Sequence, residues 1–349
     1  MKTKQIIAAI KASTTNKSGV PITSLAFLNG RQILTSTLDV FLEMPFRCDH
    51  NVAVDAKMLC TIWDTIGNHI PPSSASDTTV EFISGTRKLK TSNLGEDKLI
   101  YNKFNDESKL VGIIDSEDLE HIKSAVKYTG NDILRQSLMN VCLRDKRIAA
   151  TDTHRLYFTK PKDTLPDKDL VLLSKTTVSL LLIFDPQRWD IYINNDGAAT
   201  LVSESGIKIH DRALLIENRF PNYIDVIPDE SKRIFTLAAN VKEIKDIIKV
   251  GSKFASQATR RVILDCTDQS VTALFDDEDC GNEYEDVIKS ASFKSKAKEN
   301  EDLKIGFNYN FLSECLSDCG DSVTIELCGP DRAAVLNGKL LLMPVMITN

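Results

Sequence analysis

The feature that most constrains this chain is a rhythm. Three segments with the apolar spacing of amphipathic helices recur along it: KTKQIIAAIKAS near the N-terminus, DSEDLEHIKSAVKYT from Asp115 and NVKEIKDIIKVGSKFA from Asn240. A second apolar helix follows each, namely DAKMLCTIWDTIG from Asp55, SKTTVSLLLIFD from Ser174 and NYNFLSECLSDCG from Asn308. Short alternating runs between them, such as DIYINNDGAATLV and VILDCTDQSVTALF, read as hairpin strands. The expectation is an α+β chain of three similar units, each of roughly 115 residues, with two helices packed on antiparallel sheets. The polar stretches Asn105–Lys109 and Pro228–Lys232 mark the boundaries and give domains 1–108, 109–230 and 231–349.

Composition narrows the class. A chain of 349 residues, 42% hydrophobic and 26% charged, is too long for one ordinary core and has the make-up of a soluble globular protein. Its best apolar run, VSLLLIF at Val178–Phe184, is the size of a core segment rather than a membrane span, and the early IIAAI is too short for a signal peptide. Cysteines stand at 48, 60, 142, 266, 280, 315, 319 and 328 without a CxxC pair, the pattern of reduced core thiols and a cytoplasmic location. Cys315 and Cys319 are one helical turn apart, but no neighbouring His or Cys completes a zinc set, and no cofactor or metal is implied.

A net charge of −6 argues against indiscriminate coating of nucleic acid, so the distribution of charge decides. Lys242, Lys245, Lys249 and Lys253 follow one stripe of the third unit's first helix, away from Val241, Ile244, Ile247 and Ile248. Lys123 and Lys127 repeat the pattern in the second unit, and Lys11 ends the apolar run of the first. Such a face either solvates a helix or meets phosphates without reading bases; no base-reading motif accompanies it. The opposite pole, FDDEDCGNEYED at Phe275–Asp286, fails as a calcium loop because Cys280 and Val287 occupy ligand positions, and it reads as an acidic outer hairpin or loop.

The most unusual stretch is AATDTHRL, Ala149–Leu156. In a strand, Asp152 and His154 would share a face, as a base and its orienting carboxylate do. No nucleophile elbow, phosphate loop or HExxH spacing accompanies them, and such a pair is more often a structural hydrogen bond than a dyad. On these residues alone the stretch is a pocket wall, a structural pair or a dyad.

AATDTHRL resembles the ATDGHRL motif of the bacterial sliding clamp, the DNA polymerase III beta subunit family. NRFPNYIDVIP (Asn218–Pro228) is similar to that family's grFPdYrrviP, IGFNYNFLSECL (Ile305–Leu316) to igFNvxYlldaL, and LLMPVMI (Leu341–Ile347) to yvvMPmrl. VPITSLAF and LTSTLDVFLEM in the first unit are similar to lPIL and atDlei. These matches follow one another in order over essentially the whole chain. The resemblance implies the DNA-clamp fold, with three domains per chain and two chains closing head-to-tail into a ring. Helices would line the hole, with Lys11, Lys123, Lys127, Lys242, Lys245, Lys249 and Lys253 facing double-stranded DNA. It implies a non-catalytic processivity factor that tethers the replicative polymerase and binds the clamp loader, other clamp-binding-motif proteins and a second copy of itself.

Carried over by motif, a peptide pocket between the second and third domains comprises Arg135, Leu138, Thr151, His154, Arg155, Leu156, Pro221, Val226, Asn308, Phe311, Met343 and Pro344. Leu341, Leu342, Val345 and Met346 extend the same wall. The chain departs from the pattern with Thr153 for Gly, Asp225 for Arg, Phe311 for Tyr and Met346 for Arg, and Thr348 and Asn349 run past the usual end. Its NLGEDKLIYNKF also lacks the usual approach to the first boundary. These departures keep open a divergent clamp of a phage or mobile element, serving its own polymerase; an enzyme using Asp152 and His154 is the remaining alternative.

Overall fold

The structure is a computed structural model that describes residues 1–15, 20–95, 108–161, 163–184, 188–195, 197–213, 219–296 and 302–347. All six expected helices form: α1 Thr3–Ala12, α2 Ala56–Ile66, α3 Ser116–Ala125, α4 Lys175–Ile183, α5 Val241–Gly251 and α6 Tyr309–Leu316. Their starts follow from capping chemistry. Asp55, Asp115, Ser174, Asn240 and Asn308 each accept hydrogen bonds from first-turn amides, the donors a helix start leaves unpaired. Gly67, at φ +79°, closes α2 in the left-handed conformation that costs glycine least. The helix from Asn240 stops at Gly251, and Lys253 and Phe254 donate their amides to Val250 and Gly251 in a tighter turn. Lys253 therefore lies beyond α5, not on its stripe; Lys127 likewise falls on the turn Val126–Tyr128 after α3.

The chain divides into two compact units, one of Met1–Ala150 with Lys160–Phe220 and one of Thr151–Thr159 with Pro221–Asn349. Within the first, an eight-stranded sheet runs in the order Asn51–Asp55, Leu25–Asn29, Gln32–Ser36, Val40–Pro45, Lys208–Asp211, Ala199–Ser203, Trp189–Ile193, Lys109–Ile114. Every pairing in it is antiparallel. At its middle Glu43 lies opposite Lys208 and Phe41 opposite His210, so strands from the first and second thirds share one sheet. Helices α1 and α2 pack together, as do α3 and α4, and α1 also packs on α4. Trp63 and Trp189 are fully buried in this unit. A separate three-stranded sheet ends on Arg87–Ser92, whose Arg87, Lys88 and Lys90 are exposed. The strands Val141–Arg144, Arg147–Thr151 and Val171–Leu173 pair in an antiparallel set.

The second unit carries two sheets and the pair α5 and α6. One sheet orders Arg155–Thr159, Leu340–Leu342, Ala334–Leu336, Ser322–Leu327, Phe235–Asn240 and Ser292–Ser295; the other orders Asn282–Val287, Val271–Asp277, Arg261–Cys266 and Leu303–Asn308. Phe275 is fully buried against Gly251, where an added Cβ would stand 2.3 Å from its ring. The acidic stretch is a hairpin: Phe275 pairs with Tyr284 and Asp276 with Glu283, turning through Gly281 at φ +67°. Its strand Asn282–Val287 is a sheet edge with Glu283 and Glu285 exposed.

All eight cysteines are free, but not all belong to the core: Cys280 is exposed at the hairpin turn, where Asp277 pushes its thiol pKa up. Burial pushes Cys142 and Cys266 up to about 12, which keeps them protonated and inert. Among the described residues no helix is long and apolar enough to cross a membrane, and no cluster of three or more His, Cys, Asp or Glu could hold a metal ion. Part of NLGEDKLIYNKF, Asn218, Thr348 and Asn349 lie outside the described residues.

Candidate partner-binding site

The segment Thr151–Thr159 belongs to the second unit although it lies far from it in sequence. Backbone pairing explains this: Arg155, Leu156 and Tyr157 lie opposite Leu342, Leu341 and Leu340 in an antiparallel ladder. The ladder continues where the Met343 amide donates to the His154 carbonyl at 2.9 Å, and the Val345 amide to the Gly306 carbonyl at 2.8 Å. Gly306 suits that crossing, because a Cβ there would lie 2.8 Å from the Val345 carbonyl oxygen. The C-terminal tail is thus held on both sides, by the TDTHRL strand and by Leu303–Asn308.

Asp152 and His154 do not share a strand face. Asp152 and Thr153 form the turn between the strands Arg147–Thr151 and Arg155–Thr159, and Thr153 sits at φ +79°. One Asp152 oxygen accepts the amides of His154 (3.0 Å) and Arg155 (2.7 Å); the other accepts Nε (3.0 Å) and an Nη (2.7 Å) of Arg155. The carboxylate is committed to the turn through one oxygen and to two guanidinium N–H groups through the other, not to the imidazole. Thr151 Oγ1–H donates to the Arg155 carbonyl at 2.7 Å and accepts the Thr153 amide at 3.1 Å. Arg155 is buried and also pairs with Glu314. Burial alone would lower its pKa; Asp152 and Glu314 more than offset this and hold it above its ordinary value.

The His154 ring, exposed to solvent, stacks instead on Phe311, with centroids 5.4 Å apart at 25°. The Arg155 guanidinium carbon lies 4.6 Å from the centre of the same Phe311 ring. Asn308, which caps α6, accepts the amides of Asn310 and Phe311 and so fixes that aromatic in place. Leu156, Leu341 and Leu342 are buried and form backing rather than an open wall, whereas Met343 and Met346 are exposed. Pro344 and Val345 are half-buried and Pro221 is exposed. Arg135 and Leu138 belong to the first unit, on the turn Ile133–Met139, where Arg135 is exposed beside Asp132 and Leu138 is buried.

Beside Met343 the second unit opens a groove of about 1030 Å³ whose walls include Ile224, Val226, Ile227, Pro228, Cys328 and Ala333. Val226 and Met343 belong to the expected pocket; Ile224, Ile227, Cys328 and Ala333 do not. The signal lies in NYIDVIP, where Ile224 and Val226 stand exposed on a short turn and Ile227 follows half-buried.

Among the described residues, six helices in three consecutive pairs and antiparallel sheets define the class, an α+β chain. No protein-family model matches the sequence, and no curated protein does. Solved structures do. The DNA polymerase III beta subunit of Thermotoga maritima superposes with a TM-score of 0.84 at 17% identity, covering 99% of this chain and 98% of that one. A DNA polymerase sliding clamp from Pseudomonas aeruginosa gives 0.81 at 15% identity over 99% of both chains, and one from Bartonella birtlesii 0.80 at 18% identity over 99% of both. This chain has the fold of the bacterial sliding clamps, reached with a widely diverged sequence.

Proposed function

We propose that this protein is a DNA sliding clamp: a processivity factor that encircles duplex DNA as a homodimeric ring and tethers a polymerase. The observation that carries the reading is the fold itself, matched over 99% of the chain to structures named as such clamps. Its three domains would be residues 1–108, 109–230 and 231–349, one helix pair to each. Lys242 and Lys249 are exposed on α5, away from its buried Val241, Ile244, Ile247 and Ile248, as a face that slides along phosphates requires; Lys245 flanks them, half-buried, with its Nζ donating to Ser317 Oγ at 2.8 Å. Lys11, Lys123 and Lys127 are exposed and take the same role, although Lys123 also pairs with Glu120 at 3.2 Å.

Two sheet edges support closure. The exposed strand Arg87–Ser92 presents Arg87, Lys88 and Lys90; the exposed strand Asn282–Val287 presents Glu283 and Glu285. Among the described residues these strands are sheet edges, and edges of opposite charge fit a head-to-tail joint between copies. Partner proteins, among them the polymerase, the loader and other clamp-binding-motif proteins, would dock by a short apolar peptide at His154, Phe311, Val226 and the Met343–Met346 tail. The protein acts by holding, not by catalysis, in the cytoplasm. Thr153, Asp225 and Met346 favour one refinement: a clamp dedicated to its own polymerase, as a phage or mobile element would encode.

Light scattering should give twice the chain mass of 38.9 kDa. A fluorescent peptide ending in Leu and Phe anchors should bind the parent saturably and a Met343–Met346 deletion not at all. A monomer that ignores the peptide would overturn the reading.

A further inference from the structure

The groove beside Met343 has an apolar floor and a charged rim whose charges do not balance. Ile224, Val226 and Met343 are 38%, 55% and 41% exposed, more than a buried core requires and suited to receiving another chain. On the rim, Lys232 pairs with Asp229 at 3.3 Å and Arg332 lies 4.0 Å from Asp331, so those four charges offset one another. Asp225 is different. Its carboxylate accepts a hydrogen bond from Asn222 Nδ2 at 2.6 Å, a neutral donor. Among the described residues lining the groove it is the carboxylate left without a cation.

Position sharpens the point. Asp225 lies between Ile224 and Val226 on one short turn, so the unbalanced charge and the apolar contacts are consecutive in sequence. A segment that lays an apolar side chain on Val226 brings its neighbouring residue to Asp225. An acidic neighbour would be repelled there; a lysine or arginine would supply the missing counter-charge. Nucleic acid, with its phosphates, fits this rim poorly, which leaves a protein segment as the occupant.

We propose that the groove selects partner segments carrying Lys or Arg beside the apolar anchor, with Asp225 as the specificity-determining residue. This rests on the docking role proposed above. An exposed ion pair changes affinity by roughly twofold to fivefold, and replacing attraction by repulsion widens the gap to about tenfold. The effect must weaken with salt, because the rim is open to solvent.

The test uses two fluorescent peptides with the same Leu and Phe anchors, one flanked by Lys and one by Glu. Both are titrated against the full chain, Asp225→Asn and Asp225→Arg, at about 0.05 M and about 0.5 M salt. The parent should prefer the Lys peptide by about fivefold to tenfold at low salt and by less than about twofold at high salt. Asp225→Asn, which keeps an oxygen for Asn222, should abolish the preference, and Asp225→Arg should invert it, with unchanged thermal melting in both. Equal affinity of the parent for the two peptides, or a preference that survives Asp225→Arg, overturns the proposal and leaves the docking role standing. Binding of neither peptide removes both.

Discussion

Thr153 shows how a single side chain bears on this site. The turn needs a left-handed residue, and a β-branched threonine takes that conformation at φ +79°. Its Cβ costs about 1–2 kcal/mol there, while glycine would add about 0.5–1 kcal/mol of unfolded-chain entropy. Thr153→Gly is therefore expected to raise unfolding free energy by up to about 1.5 kcal/mol, read from urea denaturation. A loss of stability instead would mean that the threonine side chain makes a contact worth more than its strain. The same turn marks a limit of reading from sequence. That TDTHRL was special was legible from its density of polar residues. That Asp152 would serve Arg155 and two amides, leaving His154 to stack on Phe311, was not, because Phe311 lies far along the chain.

At the scale of elements, helix positions were legible because their signals are local: apolar spacing together with a capping side chain at five of the six starts. Helix ends were less so, since Lys253 continues the sequence pattern of α5 after its backbone has turned away at Gly251. The strand pairing of Val40–Pro45 with Lys208–Asp211 had no local signal at all. Other contacts invisible in sequence now have consequences. The Glu243 carboxylate accepts the amides of Lys289 and Ser290 at 2.8 and 2.9 Å, fastening α5 to the loop after the acidic hairpin. The Ser290 hydroxyl bond is the main cause holding its pKa below the ordinary carboxylate value; burial opposes it, and the two amide bonds and the charge of Lys289 add to the lowering. A carboxylate depressed in the folded state contributes stability that is fully present at neutral pH and lost as pH falls through the depressed value. Unfolding free energy of the parent should thus decline as pH falls below the ordinary glutamate range, and Glu243→Gln should be less stable at neutral pH with a shallower decline. Parallel pH curves for the two proteins would show that the fastening does not depend on charge.

For the whole molecule, the proposed assembly accounts for where the charges lie. A chain of net charge −6 keeps three lysines together on α5 and its densest acids on a hairpin edge. In the proposed ring, the first set faces DNA and the second meets the basic edge Arg87–Ser92 of the next copy. In a head-to-tail dimer each joint contains one edge of each kind, which makes the pairing testable by charge exchange. Replacing Arg87, Lys88 and Lys90 by Glu sets acid against acid at both joints and should shift light scattering from dimer towards monomer. Adding Glu283→Lys and Glu285→Lys to the same chain restores opposite charges with the signs exchanged, and the dimer should return. Because rim charges are screened, the parent dimer should also weaken as salt rises from about 0.05 to 0.5 M. Lys88 and Lys90 contact Glu81 at 3.0 and 3.8 Å, so the first variant also loses local ion pairs; recovery in the combined variant separates a joint effect from a local one. A first variant that remains a dimer would place the joint on other surfaces, and a combined variant that remains a monomer would mean that the two edges do not meet.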